Sequence, residues 1–252
     1  MWYIVKILSL ILVGSIAVWV IYELITFPNT ANLRTENPTT TSMMEHRSDE
    51  DIAEGRKPKK YQIWVPIEQI SPNLQRAVLA GEDARFTQHN GFDWDAIEAA
   101  WEEAKKEAEK EAKLEGDNNE NDWIPNLPSF KRGASTVSQQ LSKNLYLSEE
   151  RNFFRKGREA VITYFLERNL SKRRILEIYL NVIEWGEDIY GAEAAARTYF
   201  KKSASDLSPQ EAAYLAGMIP SPLNVFNPKK NPKRLARRQK AILRGINSVK
   251  IP

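Results

Sequence analysis

Two short stretches of this chain carry residue types that could do chemistry. Gly81 to Asp95 reads GEDARFTQHNGFDWD and packs Glu82, Asp83, Asp93 and Asp95 around Phe86, His89 and Gly91. A glutamate where a helix gives way to a turn can present its carboxylate to a cleft as a general base. Arg132 to Asn144 reads RGASTVSQQLSKN. Within it Thr136-Val137-Ser138-Gln139 is a capping box, and a helix start of this kind also attracts phosphate. One turn on, Gln140, Lys143 and Asn144 share a face, while Val137, Leu141 and Leu145 share another. Further along, Arg151, Arg155 and Glu159 recur every four residues and line one stripe of a helix. A base together with clustered cations suits transfer of a group from an anionic leaving group, whose charge must be stabilised as the bond breaks.

Helices must position these residues. Ser71-Pro72 reads as an N-cap and first helical residue, with Leu74, Ala77 and Val78 on one face, so Glu82 falls near that helix's end. Ser171 caps a helix whose Ile175, Leu176, Tyr179, Leu180 and Ile183 form a core face. Ser208 to Glu211 is a second capping box. Tyr61 to Ile67 is the one extended candidate. The fold class is mainly α.

The chain divides into three parts. Residues 1–27 carry almost no charge from Trp2 to Tyr22 apart from Lys6, with aromatics at both ends, and predict one uncleaved transmembrane helix, N-terminus in the cytoplasm. Residues 28–60 are rich in Thr, Asn, Pro and charge and predict a flexible linker. Residues 61–252 form the folded domain, interrupted at 102–122 by a highly charged helical insertion that could serve as a docking element. Beyond it Trp123, Ile124, Leu127 and Phe130 belong to the core or dip into a membrane surface. The tail from Lys229 to Arg244 is basic without an acidic residue, and reads as a docked amphipathic helix or as a contact for anionic headgroups. A net charge of +3 gives no case for nucleic acid, and the lack of cysteine excludes disulfides and thiolate chemistry. Two histidines make a histidine-based metal site improbable on composition.

Glu82, Asp83, Phe86, His89, Gly91 and Asp93 match E-D-x-x-F-x-x-H-x-G-x-D, and Gly133, Ser135, Thr136, Gln139, Gln140, Lys143 and Asn144 match G-x-S-T-x-x-Q-Q-x-x-K-N. In this order, and followed by RKGREAVITYFLE from Arg155 and SKRRILEIYLNVIEWG from Ser171, the stretches resemble the signature motifs of the monofunctional peptidoglycan glycosyltransferases. The resemblance runs from about Ile63 to Asn227. It implies a lysozyme-like, mainly α domain with a small membrane-proximal lobe, held outside the cytoplasmic membrane by its anchor. It implies polymerisation of lipid II, with the growing lipid-linked glycan strand as donor and inversion at the anomeric carbon. Glu82 would then deprotonate the acceptor hydroxyl. Glu159 would organise the donor diphosphate, through a divalent cation such as Mg or Mn. Asp83, Phe86, Ser135, Thr136, Gln140, Lys143, Asn144, Arg151 and Arg155 would bind substrate, and His89, Gly91, Asp93 and Gly133 would shape the motifs. Cell-wall synthesis or division proteins are the partners it suggests. No Ser-x-x-Lys or Lys-Thr-Gly occurs, so no transpeptidase activity is expected. A lytic transglycosylase, which shares the fold but breaks strands, would not need the Lys143–Arg151–Arg155 cluster. An idle scaffold would not need Glu82 and Glu159.

Overall fold

A computed structural model describes residues 2–115, 135–147 and 153–252. Gly133, Arg151, the end of the charged stretch and the aromatic run at 123–130 lie outside these described residues. The described elements are mainly helical, as expected. After α1 (Trp2–Ile25) and α2 (Ser42–Ala53) come β1 (Tyr61–Gln62), α3 (Pro72–Glu82), α4 (Trp94–Glu115), α5 (Val137–Tyr146) and α6 (Phe153–Asn169). Then follow α7 (Lys172–Val182), β2 (Glu184–Gly186), β3 (Ile189–Tyr190), α8 (Ala192–Phe200), α9 (Pro209–Met218) and α10 (Pro232–Gly245).

The local signals act where the sequence puts them. The Ser71 hydroxyl accepts from Asn73 N at the start of α3, and Ser171 accepts from Arg174 N at the start of α7. Both capping boxes form, Thr136 with Gln139 on α5 and Ser208 with Glu211 on α9. The apolar stripe of α7 is fully buried at Ile175, Leu176, Tyr179 and Leu180. It supplies the centre of the core together with Leu74 and Val78 of α3, Leu141 of α5 and Leu215 of α9. At roughly 1.5–3 kcal/mol for each large apolar side chain buried, this face is a main source of stability. The extended segment becomes β1, which pairs in parallel with β3, and β2 pairs antiparallel on the other side of β3. Asn181 secures the strand approach, accepting from Val65 N and donating to Val65 O.

The segment read as a linker is part of the domain. Leu33 and Met44 join the core, Thr41 caps α2, and the Ser42 hydroxyl donates to Leu145 O of α5. Its polar composition misled because a helix lying against a larger body needs few buried residues. The charged stretch begins inside α4, whose side chain Ala104 is buried. Its helix therefore grows from the domain rather than being inserted at Glu102.

Among the described residues, no helix is long and apolar enough to cross a membrane. The segment expected to do so is a helix, α1, with Trp2, Tyr3, Ile4 and Leu10 among its exposed side chains. Its end is fastened to α6: Arg158 pairs with Glu23 at 2.9 Å and donates to Thr26 O, and Phe27 meets Phe165 edge-on at 5.2 Å.

Candidate active site

A cleft of about 710 Å³ opens beside the end of α3. Five of the residues selected by chemistry share it: Glu82, Ser135, Gln140, Lys143 and Asn144. Glu82 comes from the last turn of α3, the other four from the start and one face of α5.

Glu82 is held from two sides. Gln140 Nε2 donates to Oε2 at 3.0 Å, and Arg238 Nη2 donates to Oε1 at 2.7 Å. The same guanidinium nitrogen also donates to Gly81 O at 3.0 Å. Tyr179 donates its hydroxyl to Gln140 Oε1 at 2.7 Å, which fixes which end of the amide faces Glu82. Burial raises the Glu82 carboxyl above its ordinary 4.5, with the neighbouring Asp83 adding to it, while Arg238 and the Gln140 hydrogen bond pull the other way. Burial, and then the charges of Glu82 and Asp83, push the Tyr179 phenol well above its usual value, so it stays a donor. A carboxylate made more basic, fixed in a cleft and aimed by two donors, has what a general base needs.

The rest of the first motif builds the scaffold under Glu82. Asp83 Oδ1 lies 2.9 Å from His89 Nε2, and Oδ2 accepts from Val137 N at 2.9 Å, the first residue of α5. The Thr136 hydroxyl donates to Gly91 O at 2.6 Å. Gly91 has φ +91°, and a Cβ there would stand 2.9 Å from Thr163 Cγ2, so glycine is required. Asp93 accepts from Ala96 N and caps α4. His89, Gly91 and Asp93 are thus each engaged in contacts within the motif or with α4 and α5. Asp83, Phe86 and Thr136, expected to bind substrate, are instead buried and engaged. Phe86 is 1% exposed, with Lys172 Nζ 4.3 Å above its ring. Asp83 and Thr136 do border a smaller cavity of about 230 Å³, which Glu82 and Ser135 also line.

Glu159 and Arg155 are not among the described residues that line the main cleft. Glu159 is 3% exposed on α6, where Arg155 Nη1 donates to it at 3.2 Å and Lys156 pairs with its other oxygen. Its backbone carbonyl accepts from the Ser142 hydroxyl of α5 at 3.2 Å. A divalent cation at Glu159 would have to displace two charged partners. Asp83, His89 and Asp93 bring ligand atoms within 4.8 Å of one another. Both Asp83 oxygens and one of Asp93 are already occupied, and Arg85 Nε lies 3.6 Å from the other, so that group is also a poor cation site.

Among the cleft residues that sequence reasoning passed over are Arg47, Tyr179, Glu184 and Arg238. Arg238 had a signal. It falls three residues after Leu235 and four before Ile242, the two buried positions of α10, so a cation sits inside an apolar stripe. Tyr179 was read as core, which it is, and only its hydroxyl reaches the site.

The fold and the site together put a held carboxylate and a lysine in one cleft, an arrangement suited to transfer of a group from an anionic leaving group. The Transglycosylase family model matches residues 49–113 and 123–247. The chain belongs to that family. It is 43% identical over 250 residues to a biosynthetic peptidoglycan transglycosylase of Chromobacterium violaceum, covering 98% of this chain and 99% of that one. A protein of the same name from Azoarcus sp. is 46% identical over 213 residues, covering 84% and 83%. Another, from Nitrosomonas eutropha, is 44% identical over 219 residues, covering 87% and 81%. The family match reaches Lys113 and resumes at Trp123, so of the charged stretch it leaves out only residues 114–122.

Proposed function

We propose that this chain is a peptidoglycan glycosyltransferase that extends glycan strands from lipid II. The observation that carries the reading is the buried, doubly held Glu82 in a cleft shared with Ser135, Gln140, Lys143 and Asn144. Glu82 takes the proton of the acceptor's sugar 4-hydroxyl. The freed oxygen attacks the donor's anomeric carbon from the face opposite the diphosphate. The carbon–oxygen bond to phosphate breaks, the lipid diphosphate departs with the electron pair, and the configuration inverts. Lys143 stands in the same cleft to meet the charge that appears on the leaving group. The start of α5, whose first backbone donor is already taken by Asp83, adds its dipole.

The membrane anchor belongs to this proposal. Support comes from the near-absence of charge in the sequence from Trp2 to Tyr22 and from exposed Phe154, Val161, Tyr164 and Phe165 on α6, beside the point where α1 ends. Together they favour a domain that works against the outer face of the cytoplasmic membrane, where lipid-linked substrates lie. Wall-synthesis or division proteins remain proposed partners. A divalent cation near the diphosphate is proposed only as an alternative to the Arg155 and Lys156 contacts. Titration with Mg or Mn alone, read by melting temperature, checks it: a rise abolished in Glu159→Gln supports it and no rise removes it.

The deciding experiment is polymerisation of lipid II by the full chain, with product lengths resolved on a gel. Polymer from the wild type and none from Glu82→Gln supports the assignment. Equal polymer from both would sink it.

A further inference from the structure

Glu82 takes part of its aim from Arg238, and that grip is one-sided. A single nitrogen, Nη2, serves both Glu82 Oε1 and Gly81 O. Nε of the same guanidinium is buried and has no hydrogen-bond partner among the described residues. Arginine binds a carboxylate most firmly through two parallel N–H groups, and here one nitrogen does the work. A guanidinium held at one corner can pivot about that nitrogen unless its plane is fixed by other means.

Phe226 stands where that is needed. Arg238 Cζ lies 5.2 Å from the centre of its ring, and Arg234 Cζ lies 5.5 Å from the same centre. Both fall within the ~6 Å over which an aromatic face attracts a cation. Such a face takes up a guanidinium without offering it a hydrogen bond, which suits the unpartnered Nε. The ring is itself held. It is half-buried against the core, and Phe226 N donates to Ser221 O at 2.9 Å. Val225 N donates to the Ser221 hydroxyl at 3.1 Å, and Asn227 Nδ2 donates to Pro222 O at 3.0 Å. Residues 219–224 of this loop line the cleft, but Phe226 is not among the described residues that do.

We propose that Phe226 is a positioning residue for the general base, acting through Arg238. The role rests on the glycosyltransferase reading and deepens it. The ring fixes the plane of the guanidinium, the guanidinium aims one oxygen of Glu82, and Gln140 aims the other. Because the same loop forms a wall of the cleft, wall and base are set by one tied piece of chain.

Among the described residues, the charged and titratable groups around Glu82 are Asp83 on its own turn, Tyr179 from α7, Arg238 from α10 and Lys143 of α5 in the same cleft. Arg238 is the one whose guanidinium lies over Phe226. It holds the Glu82 carboxyl down against the effect of burial. Loosening it lets that carboxyl rise, so the acidic limb of the rate profile, where the base becomes protonated, moves to higher pH.

Polymerisation of lipid II by the full chain is followed across pH for wild type, Phe226→Leu, Phe226→Tyr and Arg238→Gln. Leucine keeps apolar bulk and removes the aromatic face. The expected kcat of Phe226→Leu is about tenfold lower with KM changed less than twofold, the mark of a misaimed group rather than a lost binding contact. Its acidic limb moves to higher pH, as in Arg238→Gln. Phe226→Tyr, which keeps the face, recovers both rate and limb. The double variant falls no further than Arg238→Gln alone, since both changes act through one guanidinium. Melting curves give the folded share of each variant, rates are scored per folded molecule, and Phe226→Met decides if the leucine variant does not fold. An unmoved limb after ring deletion, a tyrosine variant as impaired as the leucine one, or losses that multiply in the double variant would each overturn the role while wild-type polymer leaves the functional reading intact. A wild-type chain that makes no polymer removes the functional reading and this role with it.

Discussion

Glu82 is where single-residue chemistry is decided. Replacing it with Gln keeps the Gln140 and Arg238 neighbours in place but removes the proton acceptor. Turnover on lipid II should fall by about 10²–10⁴, the usual range for a lost general base. The same variant makes a stability prediction with a definite sign. Because the folded-state carboxyl is raised above 4.5, its protonated form favours the fold, and that contribution is lost as pH rises through the folded value. Glu82→Gln should therefore melt higher than wild type near pH 8, and the gap should close below pH 4.5. A gap that widens on acidification would contradict the shift. Lys143 and Arg155, once expected to act together, now part company. Lys143→Ala should cut turnover with little change in melting. Arg155→Ala leaves Glu159, which is 3% exposed, with one cation fewer, so it should lower stability measurably and affect turnover less directly. Differential scanning calorimetry beside the lipid II assay separates the two outcomes.

The elements were legible to the degree that their ends carry chemistry. Ser71, Thr136, Ser171 and Ser208 each cap the helix that their sequence announced. Thr136→Ala removes a cap generally worth about 1 kcal/mol and also the bond to Gly91 O, so a denaturant midpoint should show a loss above that figure. An unchanged midpoint would mean that water replaces both contacts. What the motif pattern could not tell is which of its residues face inward. Asp83 and Phe86 look as available as Glu82 in the written sequence, yet one turn of helix and a tight loop bury them. Likewise α2 hid in polar sequence, because a helix with a single buried methionine gives no periodic signal. Spacing along the chain gives periodicity. It does not say which other chain segment covers a face, and for α2, Tyr179 and Arg238 that partner lies far away.

At the scale of the whole molecule, the cleft is assembled from segments far apart along the described chain. Its walls come from α2, α3, α5, α7, the segment after α9, and α10. The packing of α3 against α9 and of α10 against both holds the base to the carboxyl-terminal half of the protein. The last turn of Glu82's setting has a consequence in time. Arg238 lies 156 residues after Glu82, so the base is not clamped until that whole interval has been made. At about 5–20 residues per second, translation of that interval takes on the order of ten seconds. A nascent chain that has not yet reached Arg238 would carry the motifs of the cleft without the clamp on their base.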